Sequence, residues 1–229
     1  MKVVLFCGGL GTRLRETSEV GPKPLVTIGS RPILWHLMHY YAAHGHTDFV
    51  LCLGFRGQDI RDWFLGYDRA GMDEVVMDGR LGIVDPAESD IADWRITFVE
   101  TGLHSNIGER LVRVRHLVER EPMFLANYSD VLADLPLDRF VAEFDASGAT
   151  AGFVSVRPGY SSHGVLADAT GRVRAVRPAD TMDFWINGGF MAMRPAVFDA
   201  IGAGEELVEE PFARLIERGE LWTRRHHGF

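Results

Sequence analysis

The sequence predicts an α/β fold in which helices flank a parallel sheet. Apolar runs such as Val3–Phe6, Asp48–Phe55 and Met123–Tyr128 have the continuous hydrophobicity of strands covered on both faces. Segments with helical spacing lie between them, and that β-α-β-α alternation implies parallel strands with helices packed on the sheet. The first apolar run also passes directly into a glycine-rich turn, Gly8-Gly9-Leu10-Gly11, as a strand that delivers a ligand-binding loop does.

Taken in order, Val3–Phe6 is the first strand. Arg31 to His44 is a helix, with Pro32 near its start, Ile33, Leu34, Leu37, Met38 and Tyr41 at helical spacing, and Gly45 ending it. A strand over 48–55 and a helix over 58–64 follow. Between 66 and 93 the periodicity loosens. Val75-Val76-Met77 and Leu81-Gly82-Ile83-Val84, separated by Asp78-Gly79, form a candidate hairpin inside an insertion arm. That arm could pack on a partner subunit, cover the site, or be a surface loop. Residues 94–99 alternate as a strand, and 109–120 form a helix with Leu111, Val114 and Leu117 inward. Residues 123–128 form a buried strand, 137–146 a helix and 149–156 a strand. Gly164–Leu166 and Val173–Val176 suggest a second hairpin. A strand over 185–193 and helices over 195–201 and 211–219 complete a single domain of 229 residues.

Hydrophobic content of 46% and charged content of 24% suit a globular chain. The net charge of −8 disfavours a nucleic-acid partner, which rewards counterion release by basic proteins. Cys7 and Cys52 both lie in apolar runs and are expected to be buried free thiols in a reducing cytoplasm. No secretory signal and no membrane-length apolar run is seen, so a cytoplasmic protein is expected.

The chemistry is concentrated between Gly8 and Lys23. Gly8, Gly9 and Gly11 lack Cβ atoms, so the backbone can bend sharply and turn its N–H groups toward an anion. Arg13 follows, and a guanidinium grips phosphate oxygens in a fork. Lys23 is held between Pro22 and Pro24, which stiffen its loop. Two familiar glycine motifs fail: the dinucleotide fingerprint would need glycine where Leu14 stands, and the P-loop would need Lys-Ser or Lys-Thr after Gly11. The residues match instead Gly-Gly-x-Gly-Thr-Arg-Leu followed by Pro-Lys-Pro, and in this the chain resembles the sugar-1-phosphate nucleotidyltransferases.

Further segments resemble the glucose-1-phosphate cytidylyltransferase branch. These are Pro32–His36, His44-Gly45, Thr101-Gly102, Gly108-x-Arg110-Leu111, Ala133-Asp134-Leu135, Ile186–Phe190, Glu210-Pro211 and Gly219-Glu220-Leu221. The resemblance covers nearly the whole chain. It implies a Rossmann-like three-layer α/β/α sandwich with a mixed, mostly parallel sheet. It also implies Mg²⁺-dependent transfer of a nucleotidyl group, CTP being the expected donor, to a sugar-1-phosphate or sugar-like phosphate, with release of pyrophosphate. A homo-oligomer is a further possibility. By the same resemblance Arg13 and Lys23 are the catalytic cations. Gly8, Gly9, Gly11, Thr12, Arg13, Thr101, Gly102 and Arg110 bind the nucleotide. Gly164, Arg177, Asn187 and Glu210 bind the sugar phosphate, and Asp130 holds the metal. Asp130 could also be a turn cap, and Asn187 could mark a β-bulge with Gly188 and Gly189.

The chain departs from the family at defined points. Val176-Arg177-Pro178 stands where Glu-Lys-Pro is usual, so an acceptor for sugar hydroxyls is lost while a cation is kept. An acceptor other than glucose-1-phosphate is therefore expected. Ser129 replaces the usual glycine before the metal-binding aspartate. The family's second metal-binding aspartate falls after the point where the sequence stops at Phe229, so either the chain continues or that ligand is missing. His36, His39, His44 and His46 have spacings that could suggest zinc, but His36 and His44 match family positions with no metal role, which favours packing. Transfer from dTTP, UTP, ATP or GTP, and a non-catalytic nucleotide-binding homologue, stand as alternatives.

Overall fold

The computed structural model describes residues 1–9, 21–67, 76–78, 82–84, 90–158 and 163–229. Its strands and helices run β1 (Lys2–Phe6), β2 (Thr27–Ile28), β3 (Arg31–Pro32), α1 (Ile33–Ala43), β4 (Asp48–Leu53), α2 (Gly57–Leu65), β5 (Val76–Asp78), β6 (Gly82–Val84), β7 (Arg95–Glu100), α3 (Ile107–Arg113), α4 (Arg115–Val118), β8 (Phe124–Tyr128), α5 (Leu137–Ser147), β9 (Ala151–Val156), β10 (His163–Ala167), β11 (Val173–Pro178), β12 (Ile186–Met193), α6 (Glu210–Glu217) and β13 (Leu221–His226).

Seven of these strands form one sheet in the order β13-β9-β12-β8-β1-β4-β7. β12 runs antiparallel to both its neighbours, and every other pairing is parallel. The alternation of side chains along each strand divides the core in two. Val3, Leu5, Phe49, Leu51 and Leu53 meet α1, α2 and α5 on one face. Val4, Phe6, Val50 and Cys52 meet α3, α4 and α6 on the other. The result is a mixed, mostly parallel sheet between two helical layers. Cys7 and Cys52 are free and buried, and burial pushes the Cys7 thiol up to about 12.

Several boundaries differ from those read in the sequence. α1 begins at Ile33 because Arg31-Pro32 pairs with Thr27-Ile28 as a short ladder. The helix read over 109–120 starts two residues earlier and is interrupted at Val114. Its start is fixed by a capping box, in which the Asn106 side chain accepts from the Glu109 N–H and Glu109 accepts from the Asn106 N–H. Pro195–Ala200 is a 3-10 helix. The arm hairpin pairs Val76 with Val84, while residues 79–81 and most of the rest of that arm lie outside the described residues. The histidines of the α1 region have packing partners. His36 bonds the Ile28 carbonyl, His44 the Tyr40 carbonyl, and His39 lies against Trp35.

The mixed topology places one set of strand ends together. The C-terminal ends of β1, β4, β7, β8, β9 and β13 share an edge with the N-terminal end of β12. In open α/β sheets, ligands bind beyond this edge. Among the described residues no helix is long and apolar enough to cross a membrane.

Candidate active site

β1 leads into Cys7, Gly8 and Gly9, the described part of the glycine-rich turn. Gly11, Thr12 and Arg13 lie outside the described residues. The Gly8 carbonyl accepts a 2.9 Å hydrogen bond from Arg110 Nη2. Arg110 is 3% exposed, and burial pulls its pKa down. Its charge is met by protein acceptors: Nη1 donates to the Leu53 carbonyl at 3.0 Å and to Thr101 Oγ1 at 2.7 Å. Thr101 is fully buried, and its hydroxyl donates in turn to Leu53 O at 2.7 Å. One guanidinium therefore joins the ends of β1, β4 and β7. A Cβ on Gly8 would lie 2.0 Å from Arg110 Nη1, so this glycine is required by the packed arginine whatever a ligand demands. Gly102, at φ +93°, continues the β7 end in a conformation that suits glycine.

This arrangement sets a direction. In a trans peptide the N–H points opposite to the carbonyl. With the Gly8 carbonyl held on Arg110, the Gly9 N–H faces the other way. Neither the Gly8 nor the Gly9 N–H has a hydrogen-bond partner among the described residues. Free N–H groups at the end of a parallel strand are what an anion-binding turn needs.

β8 supplies the next part. Ser129 Oγ donates to the Phe6 carbonyl at 2.9 Å, which ties the end of β8 to the end of β1. Asp130 follows, and its carboxylate forms an ion pair with Lys23. Lys23 opens a 3-10 turn over Lys23–Leu25 whose last N–H returns to the Pro22 carbonyl. Proline on both sides thus presents the ammonium at the strand edge. The predicted metal ligand and the predicted catalytic lysine are in direct contact. Among the described residues no three His, Cys, Asp or Glu side chains converge as a metal cluster.

On the other side of β8 lies the strand start of β12. The register shifts between Asn187 and Met191, so the bulge that stood as the alternative reading of Asn187 is present. Asn187 Oδ1 accepts from the Gly189 N–H at 2.8 Å, and a Cβ on Gly189 would touch Tyr128 and Val131 at 3.1–3.2 Å. Asn187 therefore adjoins the segment that carries Asp130. It also lines a cavity of about 310 Å³ with Phe153, Ser155, Trp185, Phe212, Thr223 and Arg225. A second cavity of about 370 Å³ lies under the β10–β11 hairpin, is mostly apolar, and shares Ile186 with the first. Gly164 lines it and faces Arg177 across the hairpin, with Met182 packed where a Gly164 side chain would be. Arg177 is exposed, and so is Glu210 in the first turn of α6. Gly164 and Asn187 thus line adjoining cavities, Arg177 stands opposite Gly164 on the hairpin, and neither Arg177 nor Glu210 lines either cavity.

Sequence reasoning did not single out Trp185, Arg157 or Arg225. The Arg157 and Arg225 guanidiniums lie 4.9 and 5.0 Å from the Trp185 ring centroid. These residues come from three strand ends far apart in sequence, and only the pairing of β9 with both β12 and β13 brings them together.

A family model for nucleotidyl transferases matches residues 2–177. The chain belongs to the nucleotidyl transferase family. It is 37% identical over 231 residues to the glucose-1-phosphate cytidylyltransferase of Salmonella typhimurium, covering 100% of this chain and 89% of that enzyme. Its fold is similar to a UDP-glucose pyrophosphorylase complexed with UDP-glucose, with a TM-score of 0.69, 12% identity, and coverage of 100% of this chain and 91% of that one. HddC from Yersinia pseudotuberculosis gives a TM-score of 0.64 at 16% identity, covering 99% and 89%. This nucleotidyl transferase is thus an enzyme of the nucleotide-sugar-forming class, with the fold of its structural neighbours.

Proposed function

We propose that this enzyme transfers a cytidylyl group from CTP to a sugar-1-phosphate, or a phosphate of similar shape, releasing pyrophosphate. The contact of Lys23 with Asp130, together with Gly8 and Gly9 N–H groups that have no partner among the described residues, carries this reading, and the cytidylyltransferase relative supports the choice of base. In the reaction a phosphate oxygen of the acceptor attacks the α-phosphorus of the nucleotide, and the bond from that phosphorus to the β-phosphate oxygen breaks. Nucleophile and leaving group are both already ionised, so the protein's task is alignment and charge neutralisation.

The residue roles follow from the motifs that the chain shares with the family. The Gly8, Gly9 and Gly11 turn with Thr12 would cradle the triphosphate, and Arg13 would hold the departing pyrophosphate. Lys23 would meet the α-phosphate or the incoming phosphate. Thr101 and Gly102 would face the base, with Arg110 acting through the carbonyls it holds. Gly164, Arg177, Asn187 and Glu210 would contact the acceptor. Magnesium fits Asp130: the ion keeps several waters and binds through one or two carboxylates plus substrate phosphates, so a single strand-end carboxylate beside a phosphate turn meets its needs. When bound, it would neutralise charge developing on the phosphate oxygens.

The test is pyrophosphate release over all NTPs with a panel of sugar-1-phosphates. Turnover should require NTP, acceptor and Mg²⁺ together, with CTP preferred over UTP in both kinetics and titration calorimetry. Tight nucleotide binding with no turnover on any acceptor would instead indicate a nucleotide-binding regulatory protein.

A further inference from the structure

The cavity beside Asn187 has a composition that sugar hydroxyls alone do not explain. Phe153 and Phe212 stack at 5.8 Å and give it an apolar floor. Ser155, Thr223 and Asn187 supply neutral polar groups, and the Asn187 Nδ2 has no hydrogen-bond partner among the described residues. The indole of Trp185 forms one wall, its Nε1 donating to Asp183 at 3.1 Å. Arg225 lies against that indole and lines the cavity. Among the described residues no carboxylate lines the cavity and none pairs with Arg225. Arg56, Arg115, Arg139 and Arg174 are paired with Asp or Glu, whereas Arg225, like the exposed Arg177 and Arg218, has no such pair among the described residues; what sets Arg225 apart is its aromatic brace and its place in the cavity lining. In a chain of net charge −8, an uncompensated guanidinium braced on an aromatic face inside a cavity is a recognition element for an anion.

We propose that the acceptor phosphate carries a second anionic group, a carboxylate on its ring, and that Arg225 braced on Trp185 recognises it. The proposal rests on the nucleotidyl-transfer reading, and it names the class of acceptor. The reacting phosphate belongs beside Lys23 and Asp130. A Cβ on Gly189 would touch Tyr128 and Val131, close to Asp130, and Asn187 two residues before it lines the cavity, so one short segment joins the cavity to the strand end that carries Asp130. A volume of about 310 Å³ accommodates one pyranose ring with its substituent.

The experiment compares glucuronic acid 1-phosphate with glucose-1-phosphate, at fixed CTP and Mg²⁺, in the wild type, Arg225→Gln and Arg225→Lys. The wild type should show at least about tenfold higher kcat/KM for the uronate, the scale of one charge-assisted hydrogen bond. Arg225→Gln should abolish that ratio and Arg225→Lys should restore part of it. A wild type that prefers glucose-1-phosphate would overturn the proposal. So would a variant that loses both substrates in equal proportion, because Arg225 would then hold the phosphate common to both or serve packing alone. Calorimetric titration of both acceptors into the nucleotide-bound protein reads the same preference without turnover. If no acceptor reacts, the activity assignment fails, and tighter binding of the uronate in wild type alone still decides the role of Arg225.

Discussion

Arg110 and Arg225 are both cations at one edge of one sheet, and they are held in opposite ways. Arg110 is 3% exposed, and its nitrogens donate to Gly8 O, Leu53 O and Thr101 Oγ1. Around it, Thr101 is fully buried and two glycines, Gly8 and Gly54, stand where a Cβ would strike the guanidinium. Arg225 is exposed, rests on one indole and faces a cavity. The neighbouring hairpin shows Val165 and Val176 each 57% exposed. The nucleotide side is thus closed upon itself before any ligand arrives, while the acceptor side is open and lined by side chains with unused bonding capacity. A tightly bonded set of strand ends suits the triphosphate, whose geometry is the same in every NTP. An open, side-chain-lined region can be altered residue by residue to change the acceptor without disturbing the sheet.

Substitutions can break or sharpen this contrast. The largest effect is expected where the two sides meet. Asp130→Asn should lower kcat by about 100-fold or more at saturating Mg²⁺, since metal charge stabilisation is worth several kcal/mol. The melting temperature should be little changed. Pyrophosphate release and calorimetry check the two halves of that statement, and wild-type turnover would reduce Asp130 to a turn cap.

Next comes Arg110→Leu, which removes the charged donor from the Gly8 and Leu53 carbonyls and the Thr101 hydroxyl, although Thr101 keeps its bond to Leu53 O and Gly8 O a long one from the Phe55 N–H. A loss of about 3 kcal/mol is expected, at roughly 1.5–3 kcal/mol per hydrogen bond to a charged group. That lowers the melting temperature by about 6–12 °C for a domain of this size. Arg225→Gln should stay within about 0.5 kcal/mol of wild type. Equal losses for the two arginines would erase the contrast between the sides.

Much of the nucleotide side was legible in the sequence, because glycine and proline impose backbone geometry locally. The glycines at the end of β1 and the Pro22-Lys23-Pro24 presentation could be read without the fold. The buried strands were equally plain, since covered parallel strands are continuous apolar runs. β13 was obscured: its residues, Leu-Trp-Thr-Arg-Arg-His, sit at the sheet edge and mix polar with apolar side chains. Arg110 reads as a ligand-facing cation in sequence, and only packing reveals that protein carbonyls hold its donors. The Trp185–Arg225 wall was invisible because strand pairing alone joins its members. The early start of α3 was readable, however, from Asn106 with Glu109 three residues on.

Two smaller effects refine the acceptor side. Val176→Glu restores an acceptor on the exposed hairpin and should raise kcat/KM for glucose-1-phosphate about tenfold, the value of one hydrogen bond involving a charged group. Steady-state kinetics with glucose-1-phosphate and a deoxy analogue checks it, and no gain would make Val176 structural. The smallest effect concerns the C-terminal strand. His226 bonds Asp134 at 2.8 Å, and this bond holds the Asp134 carboxyl below its ordinary value of 3.8. A carboxyl with a depressed folded-state pKa adds stability that is complete above its unfolded pKa and vanishes as pH falls through the folded one. Asp134→Asn should therefore narrow the stability gap between pH 6 and pH 3 only slightly, measured by thermal unfolding at both.

Amide hydrogen exchange tests the contrast between the two sides most directly. In the free protein, the amides of Cys7, Thr101 and Arg110 should exchange slowly, and those of the 163–178 hairpin rapidly. CTP with Mg²⁺ should leave the hairpin exchanging rapidly, and adding an acceptor phosphate should slow it. Equal protection of both regions in the free protein, or a hairpin protected by nucleotide alone, would contradict a closed nucleotide side and an open acceptor side.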